Sequence, residues 1–324
     1  YELNLVYETT GRLIQPGQLP ISVGCVTLNV ETLYNIAIQQ PVIDKFLTVT
    51  GAVREPKTVP VPIGTTIQEI LDKFEITANN FSVVADGLMM GEVVDDLSTA
   101  ITKKTAGLIV LPDDHYYIEM RTRYATKVAT DRMAKAACDQ CSFCTDLCPM
   151  YLIGHPVRPE TAMRNRMFSV ESLEEGVNPG NDFCCECNLC TMYACPEGLD
   201  PRGAIMIEKE VIAEQDLQWK GLPRSPHPLE GYRKTPTKKL MQRLEVTNYE
   251  DIGPFQDVKI QPNRVTILLQ QHVGAPAEPI VQKGDNVQRG QIIARAQDGI
   301  SANIHASIAG QVEEINQKMA IITR

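Results

Sequence analysis

Nine of the chain's ten cysteines fall in two short runs, CDQCSFCTDLCP starting at Cys138 and CCECNLCTMYACP starting at Cys184, each closing on Cys-Pro. The first run reads C-x2-C-x2-C-x3-C-P, at Cys138, Cys141, Cys144 and Cys148. Thiolates at two-residue intervals let one loop wrap three corners of a cubane, while the fourth lies beyond the loop and reaches elsewhere. This is the bacterial ferredoxin spacing, in which the fourth cysteine ligates the other cluster. The second run, Cys184, Cys187, Cys190 and Cys195, repeats the scheme with one extra residue before its last cysteine. The pair predicts two [4Fe-4S] clusters with exchanged fourth ligands: Cys138, Cys141, Cys144 and Cys195 on one, Cys184, Cys187, Cys190 and Cys148 on the other. Moving single electrons is the common use of such a pair, and it needs no acid, base or nucleophile, so no catalytic residue is assigned.

Other readings stay open. Four thiolates also hold a structural zinc, although zinc sites usually bring cysteines in separated pairs. A disulfide framework would spread its cysteines over many loops, so their clustering favours a reducing compartment such as the cytoplasm. Cys185 breaks the triplet rhythm and is expected not to be a ligand. Cys25, far from both runs, reads as a small core residue. His115, His155, His272 and His305 show no metal spacing.

The elements that would position these residues follow along the chain. Residues 1–43 mix strand-like pieces (LNLVYETT, VGCVTLNV) with a helical NVETLYNIAIQ, and read as the tail of an upstream domain whose beginning is missing. Residues 44–118 give strands in KFLTVTGAV, KTVPVPIG, FSVVADG and GLIVLP. Their one helix, in TTIQEILDKF, is announced by a Thr66/Glu69 capping box. A β-grasp-like unit is expected there. Residues 119–219 are helical: an apolar spacing begins at Tyr124 and Ala125 and continues through Ala137, a second helix opens at Pro159, and a third lies in PRGAIMIEKEVIAEQ. The cysteines are expected in loops between these helices. Residues 220–257 read as a linker, with seven Lys or Arg against one acid between Lys220 and Arg243. Residues 258–324 are all-β with turns at Lys283-Gly284-Asp285 and Arg289-Gly290, and resemble the barrel-sandwich hybrid of biotinyl carriers without their hairpin lysine. The fold class is thus α+β multidomain: a β-grasp domain, a helical double-cluster ferredoxin domain and a C-terminal all-β barrel-sandwich hybrid.

Composition agrees with such a chain. At 324 residues and 43% hydrophobic it is long enough for two or three cores. Its net charge of -9 disfavours a nucleic-acid binder. The longest uncharged run, Leu13 to Val30, is too rich in proline, glycine and amides to cross a bilayer as a helix, so no membrane span is expected.

The stretches YETTGRLIQPGQLPISVGCVTLNVETLYNIA, FLTVTGAVREP, CDQCSFCTDLCPMYLIGHPVRPE and CCECNLCTMYACPEGLDPR together resemble the cobalamin reductases of propanediol-utilisation microcompartments. More widely, the chain is similar to the C subunit of Rnf electron-transport complexes and, at its start, to the flavin-bearing subunit of respiratory NADH dehydrogenases. The resemblance implies an NADH-dependent oxidoreductase with FMN and two [4Fe-4S] clusters that delivers electrons to a corrinoid on a partner adenosyltransferase. It also implies a location inside a bacterial microcompartment, with shell proteins as further partners. The C-terminal place of the barrel-sandwich domain favours this branch over Rnf. No G-x-G-x-x-G occurs, so the FMN and NADH sites are expected mostly outside these residues. By the resemblance Asn29, in LNVETL, is a flavin contact; it reads equally as an ordinary helix-start residue. Two alternatives accompany this reading: an Rnf-C-like NADH dehydrogenase module feeding another acceptor, and a metal-stapled interaction scaffold.

Overall fold

The computed structural model describes all residues except 124–126, 169–175, 223, 250 and 251. The expected helix start at Tyr124 and Ala125 lies outside the described residues. In chain order the helices are α1 (Glu2–Thr10), α2 (Val30–Ile38), α3 (Ile67–Leu71), α4 (Tyr116–Arg123), α5 (Lys127–Ala137), α6 (Phe143–Asp146), α7 (Pro149–Leu152), α8 (Pro159–Phe168), α9 (Pro201–Glu214) and α10 (Thr237–Arg243). The strands used below are β1 (Asp44–Gly51), β2 (Lys57–Pro62), β3 (Phe81–Ala85), β4 (Glu92–Val93), β5 (Gly107–Pro112), β6 (Arg264–Leu268), β7 (Glu278–Pro279), β8 (Asn286–Val287), β9 (Ile292–Arg295), β10 (Ile304–His305), β11 (Gly310–Ile315) and β12 (Met319–Thr323). The chain is mixed α+β with several sheets, and it divides into two compact units.

One unit joins Tyr1–Leu28 to Asp114–Asn248 and is helical. Its core gathers Leu3, Val6, Ile14, Ala134, Met150, Ile153, Val157, Ala162, Met163, Leu199, Ala204 and Ile205 around Cys148, Cys185 and Cys195. The strand-like reading of LNLVYETT is corrected here: Glu2–Thr10 is a helix, closed by Gly11 in the left-handed conformation at φ 70°. Leu3 and Val6, three apart, share the buried face, and Thr9 and Thr10 return their hydroxyls to the carbonyls of Leu5 and Val6 at 2.7 and 2.6 Å. VGCVTLNV is not a strand either. A short 3-10 turn over Pro20–Val23 ends at Gly24, and the chain runs irregularly to Asn29.

A buried carboxylate ties α8 to α9. Glu208, fully buried, accepts from the amides of Asn165 and Asn181, the latter at 2.6 Å. The basic stretch 220–243 carries α10, and Arg233 and Lys234 pair with Asp146 at 3.0 Å and Glu8 at 2.5 Å.

The second unit joins Asn29–Asp113 to Tyr249–Arg324. Its five-stranded sheet has the order β2-β1-β5-β3-β4, with β1 and β5 parallel and the other pairs antiparallel. Alternate residues Leu47 and Val49 of β1 and Val59 and Val61 of β2 are completely buried against Ile67, Ile70 and Leu71 of α3. Thr66 caps α3 as the sequence predicts: its hydroxyl takes the Glu69 N–H at 3.2 Å, and the Glu69 carboxylate takes the Thr66 N–H at 3.2 Å. The C-terminal part holds a three-stranded sheet, β10-β9-β7, and a four-stranded sheet, β6-β12-β11-β8, around Val265, Ile267, Ile293, Ile304, Val312 and Ile322. Gly284 and Gly290 take positive φ at the two expected turns.

Gly64 is where the two parts of this unit meet. Its φ is +94°, its carbonyl accepts the Thr266 N–H at 2.9 Å, and a Cβ there would sit 2.9 Å from the Thr266 oxygen. Ser307 adds a hydroxyl bond to the Ile63 carbonyl at 2.5 Å.

Candidate metal centre

Each cysteine run begins by leaving regular structure. The last turn of α5 ends with the Cys138 N–H on the Ala134 carbonyl at 3.2 Å. The chain then turns tightly, with Gln140 and Ser142 in the left-handed region at φ 60° and 65°, one on each side of Cys141. The second run does the same around its own middle cysteine: Glu186 and Asn188, flanking Cys187, have φ 58° and 64°. Residues with side chains enter this region at a cost of roughly 1–2 kcal/mol each, so the shared pattern marks two loops held in one strained shape.

Backbone N–H groups point at the sulfurs. Glu186 N–H reaches Cys184 Sγ at 3.4 Å and Leu199 N–H reaches Cys195 Sγ at 3.3 Å. Phe143 N–H serves Cys141 and Leu189 N–H serves Cys187, equivalent positions in the two loops. Cys148 is the N-cap of α7, with Pro149 opening that helix; the Met150 and Tyr151 amides lie near its thiol without a cap hydrogen bond. The cysteines are therefore not all in loops. Cys144 lies in α6, and Cys190 begins a π-helical turn, Cys190–Ala194, closed by the Cys195 N–H on the Cys190 carbonyl at 3.1 Å. This turn accommodates the extra residue of the second run, since one residue added to a helical turn converts an i→i+4 closure to i→i+5.

The eight cysteines fall into two groups in space. Cys138, Cys141, Cys144 and Cys195 line one cavity with Glu160, Met163 and Leu199. Burial, Glu160 and the other three cysteines push the Cys144 thiol up to about 12. Cys148 instead has Cys184 and Cys187 as its charged neighbours. Cys190 is pushed up by burial and then by Cys184, Cys148 and Cys187, with Cys144 contributing least. The fourth cysteine of each run thus stands with the triplet of the other. Cys144, Cys148, Cys190 and Cys195 are buried, Cys138, Cys184 and Cys187 half-buried, and Cys141 exposed.

Burial and neighbouring cysteines push the thiols of Cys144, Cys148 and Cys190 up, so these hold their protons by themselves; a positively charged metal centre removes the repulsion and takes the thiolates. The donor set therefore fits iron-sulfur ligation. Among the described residues no three His, Cys, Asp or Glu converge as ligands of one metal ion. A cubane makes no such demand, because each thiolate binds its own iron.

Cys185 is buried and hydrogen-bonded to Cys187, which is lowered by that bond while Cys185 is raised. Cys25 is half-buried at the edge of the helical core. His115, His155 and His272 face the carbonyls of Glu245, Ile14 and Ala275. Asn29 is the N-cap of α2, its Oδ1 taking the Glu31 N–H at 2.9 Å.

Two charged residues beside the cysteines had no sequence signal. Glu160 looks like a first-turn acid of α8, yet it is buried, its carboxylate bound by the Thr145 hydroxyl and by Arg158 Nε at 2.7 Å. Lys209 looks like a surface residue of α9, yet its ammonium donates to the Cys184 carbonyl at 2.9 Å and to Glu186 at 2.8 Å.

Three family models match: a 4Fe-4S dicluster domain over residues 137–200, an SLBB domain over 46–74 and the RnfC barrel sandwich hybrid domain over 243–323. The cobalamin reductases PduS of Citrobacter freundii and Salmonella typhimurium are each 35% identical to this chain over its whole length and 72% of theirs. The C subunit of the Na(+)-translocating ferredoxin:NAD(+) oxidoreductase complex of Acetobacterium woodii is 30% identical over 47% of this chain and 32% of its own. Among the described residues no helix is long and apolar enough to cross a membrane. The crossed cysteine groups, the dicluster match and the full-length similarity lead to one conclusion: this chain is an oxidoreductase of the PduS cobalamin reductase and Rnf C-subunit family, of the kind that transfers electrons through iron-sulfur centres.

Proposed function

We propose that the chain relays electrons through two [4Fe-4S] clusters, one held by Cys138, Cys141, Cys144 and Cys195 and the other by Cys148, Cys184, Cys187 and Cys190. The observation that carries this reading is the crossing of the fourth cysteines. Each cluster, when bound, supplies a centre that accepts and releases one electron. The polypeptide does the rest. Amides of Glu186 and Leu199 donate to sulfur, and Met163 and Leu199 line the first cavity.

The relay belongs to an NADH-dependent flavin and iron-sulfur reductase that reduces cobalamin for a corrinoid adenosyltransferase inside a microcompartment, near its shell proteins. The support is the similarity to PduS along the whole chain. FMN belongs to the same reductase, with Asn29 as its contact in these residues. The five-stranded sheet is read as a β-grasp of the soluble-ligand-binding type and the two C-terminal sheets as the barrel-sandwich hybrid. A second reading, an Rnf-C-like module feeding another acceptor, is favoured by the matches to Rnf C subunits.

The test is iron and acid-labile sulfide on anaerobically purified protein, with low-temperature EPR before and after dithionite. About eight irons per chain and two interacting reduced [4Fe-4S] signals are expected for a dicluster site. Zinc without a reducible signal would refute the relay.

A further inference from the structure

The two cysteine groups sit in unequal electrostatic surroundings. Glu160 places a carboxylate in the wall of the first cavity, held there by the Thr145 hydroxyl, whose oxygen in turn takes the Glu160 N–H at 3.2 Å. Asp139 and Glu197 line the same cavity, and among the described residues no Lys or Arg does. Three arginines lie nearby, one of them paired with this carboxylate and one on a cysteine carbonyl. Arg158, with half its side chain exposed, holds the carboxylate at Oε1; Arg164 ends on Gln140, and Arg243 on the Cys195 carbonyl.

The second group, like the first, has a cation on a cysteine carbonyl, but the carboxylate beside it is not buried. Lys209, only 20% exposed, brings its ammonium to the Cys184 carbonyl. The carboxylate beside it, Glu186, is shared between Lys209 at 2.8 Å and Arg202 at 3.7 Å.

Adding an electron makes an anionic centre more negative. A carboxylate fixed in a low-dielectric wall opposes this, and an ammonium beside a ligand favours it; net charge and hydrogen bonds to sulfur are the terms that set cluster potentials. Amide donors do not separate the sites: the Glu186 N–H donates to Cys184 in the second group and the Leu199 N–H to Cys195 in the first. Solvent at the exposed Cys141 acts against the carboxylate, but reaches one corner of the first site, whereas Glu160 lies inside the cavity.

We infer that the fold fixes the order of the two potentials: the centre held by Cys148, Cys184, Cys187 and Cys190 is more positive than the one held by Cys138, Cys141, Cys144 and Cys195, with Lys209 and Glu160 as the opposing residues that set them apart. An electron reaching the first site then runs downhill to the second. This inference rests on the two-cluster reading above.

The test is an EPR-monitored potentiometric titration of the full chain, as wild type, Glu160→Gln and Lys209→Gln. Glu160→Gln keeps the shape and one acceptor oxygen while removing the charge. It should raise the lower of the two midpoints, changing its reduced-to-oxidised ratio roughly tenfold at a given potential, about 59 mV for one electron, and leave the higher one in place. Lys209→Gln should lower the higher midpoint and leave the other, so the two variants narrow the gap from opposite sides. If Glu160→Gln moves the higher midpoint, or neither variant moves one, the inference is overturned while the relay stands. Should the wild type fail to show two reducible centres, the relay reading itself falls, and the ordering with it. A Glu160→Gln protein that loses its clusters is replaced by Glu160→Asp, which keeps the charge: wild-type midpoints there sustain the electrostatic role, and a shift as large as that expected for Gln refutes it.

Discussion

Ser142 and Asn188 adopt the same left-handed backbone conformation, φ 65° and 64°, each one residue past the middle cysteine of its run. Both are followed by one residue and then a buried cysteine, Cys144 or Cys190. Two stretches with little identity beyond their cysteines are thus bent into one shape, as expected of loops that must turn three sulfurs toward a single object.

The crossing predicts unequal consequences for the two terminal cysteines. Cys195→Ala should empty the site built by the first triplet, and Cys148→Ala the site built by the second, each costing about half of the iron of a dicluster protein. Iron analysis with EPR of the remaining signal checks this. If Cys148→Ala were to disturb the first-triplet signal instead, each run would be completing its own site.

Trp219 is the chain's single tryptophan, and it stands edge-on to Phe183 with ring centroids 5.8 Å apart. Phe183 directly precedes Cys184. Iron-sulfur centres absorb where indole emits, so Trp219 fluorescence should be quenched in the loaded protein and rise when a chelator strips the metal. Emission unchanged on metal removal would separate this tryptophan from the second site.

His155 is 2% exposed, and its Nε2 meets the Ile14 carbonyl at 3.0 Å. Burial holds its pKa below the ordinary 6.5. The unfolded chain therefore takes up this proton first, so the stability contribution is complete above pH 6.5 and is lost as pH falls toward the lower folded value. Urea denaturation at pH 7.5 and 5.5 should show a loss of about 1 kcal/mol per unit of pKa depression. In His155→Gln, which does not titrate, that part of the pH dependence should vanish.

Gly64→Ala should destabilise the sheet-bearing unit by about 1–3 kcal/mol, because the new Cβ meets the Thr266 carbonyl in a backbone conformation that side chains avoid. Thermal unfolding followed by circular dichroism measures it. Equal stability would mean that the Gly64 and Thr266 segments separate readily.

The sequence made the metal chemistry legible because thiolate spacing is local: each run carries its own rhythm within one short stretch of chain. The capping box at Thr66 and Glu69 was legible for the same reason. The helix Glu2–Thr10 was not, since Val6, Thr9 and Thr10 favour a strand by propensity and only the core contacts of Leu3 and Val6 override it. Glu160 and Lys209 were hidden because a helix-surface charge becomes a cavity wall only once α8 and α9 have packed. The π-turn lay between these cases: the extra residue was visible, but not how the helix would absorb it.

The π-turn before Cys195 and the cap at Cys148 also bear on how such a module arises and spreads. With each triplet completed from across the molecule, the metal would close two interlocked loops of chain, so the region between the runs is cross-linked twice without a disulfide. Neither run is then a self-sufficient unit of inheritance. A transplanted half carries three donors and a fourth that faces the wrong partner, and the extra residue in one run prevents the halves from being exchanged as equals. Evolution can move this pair only whole.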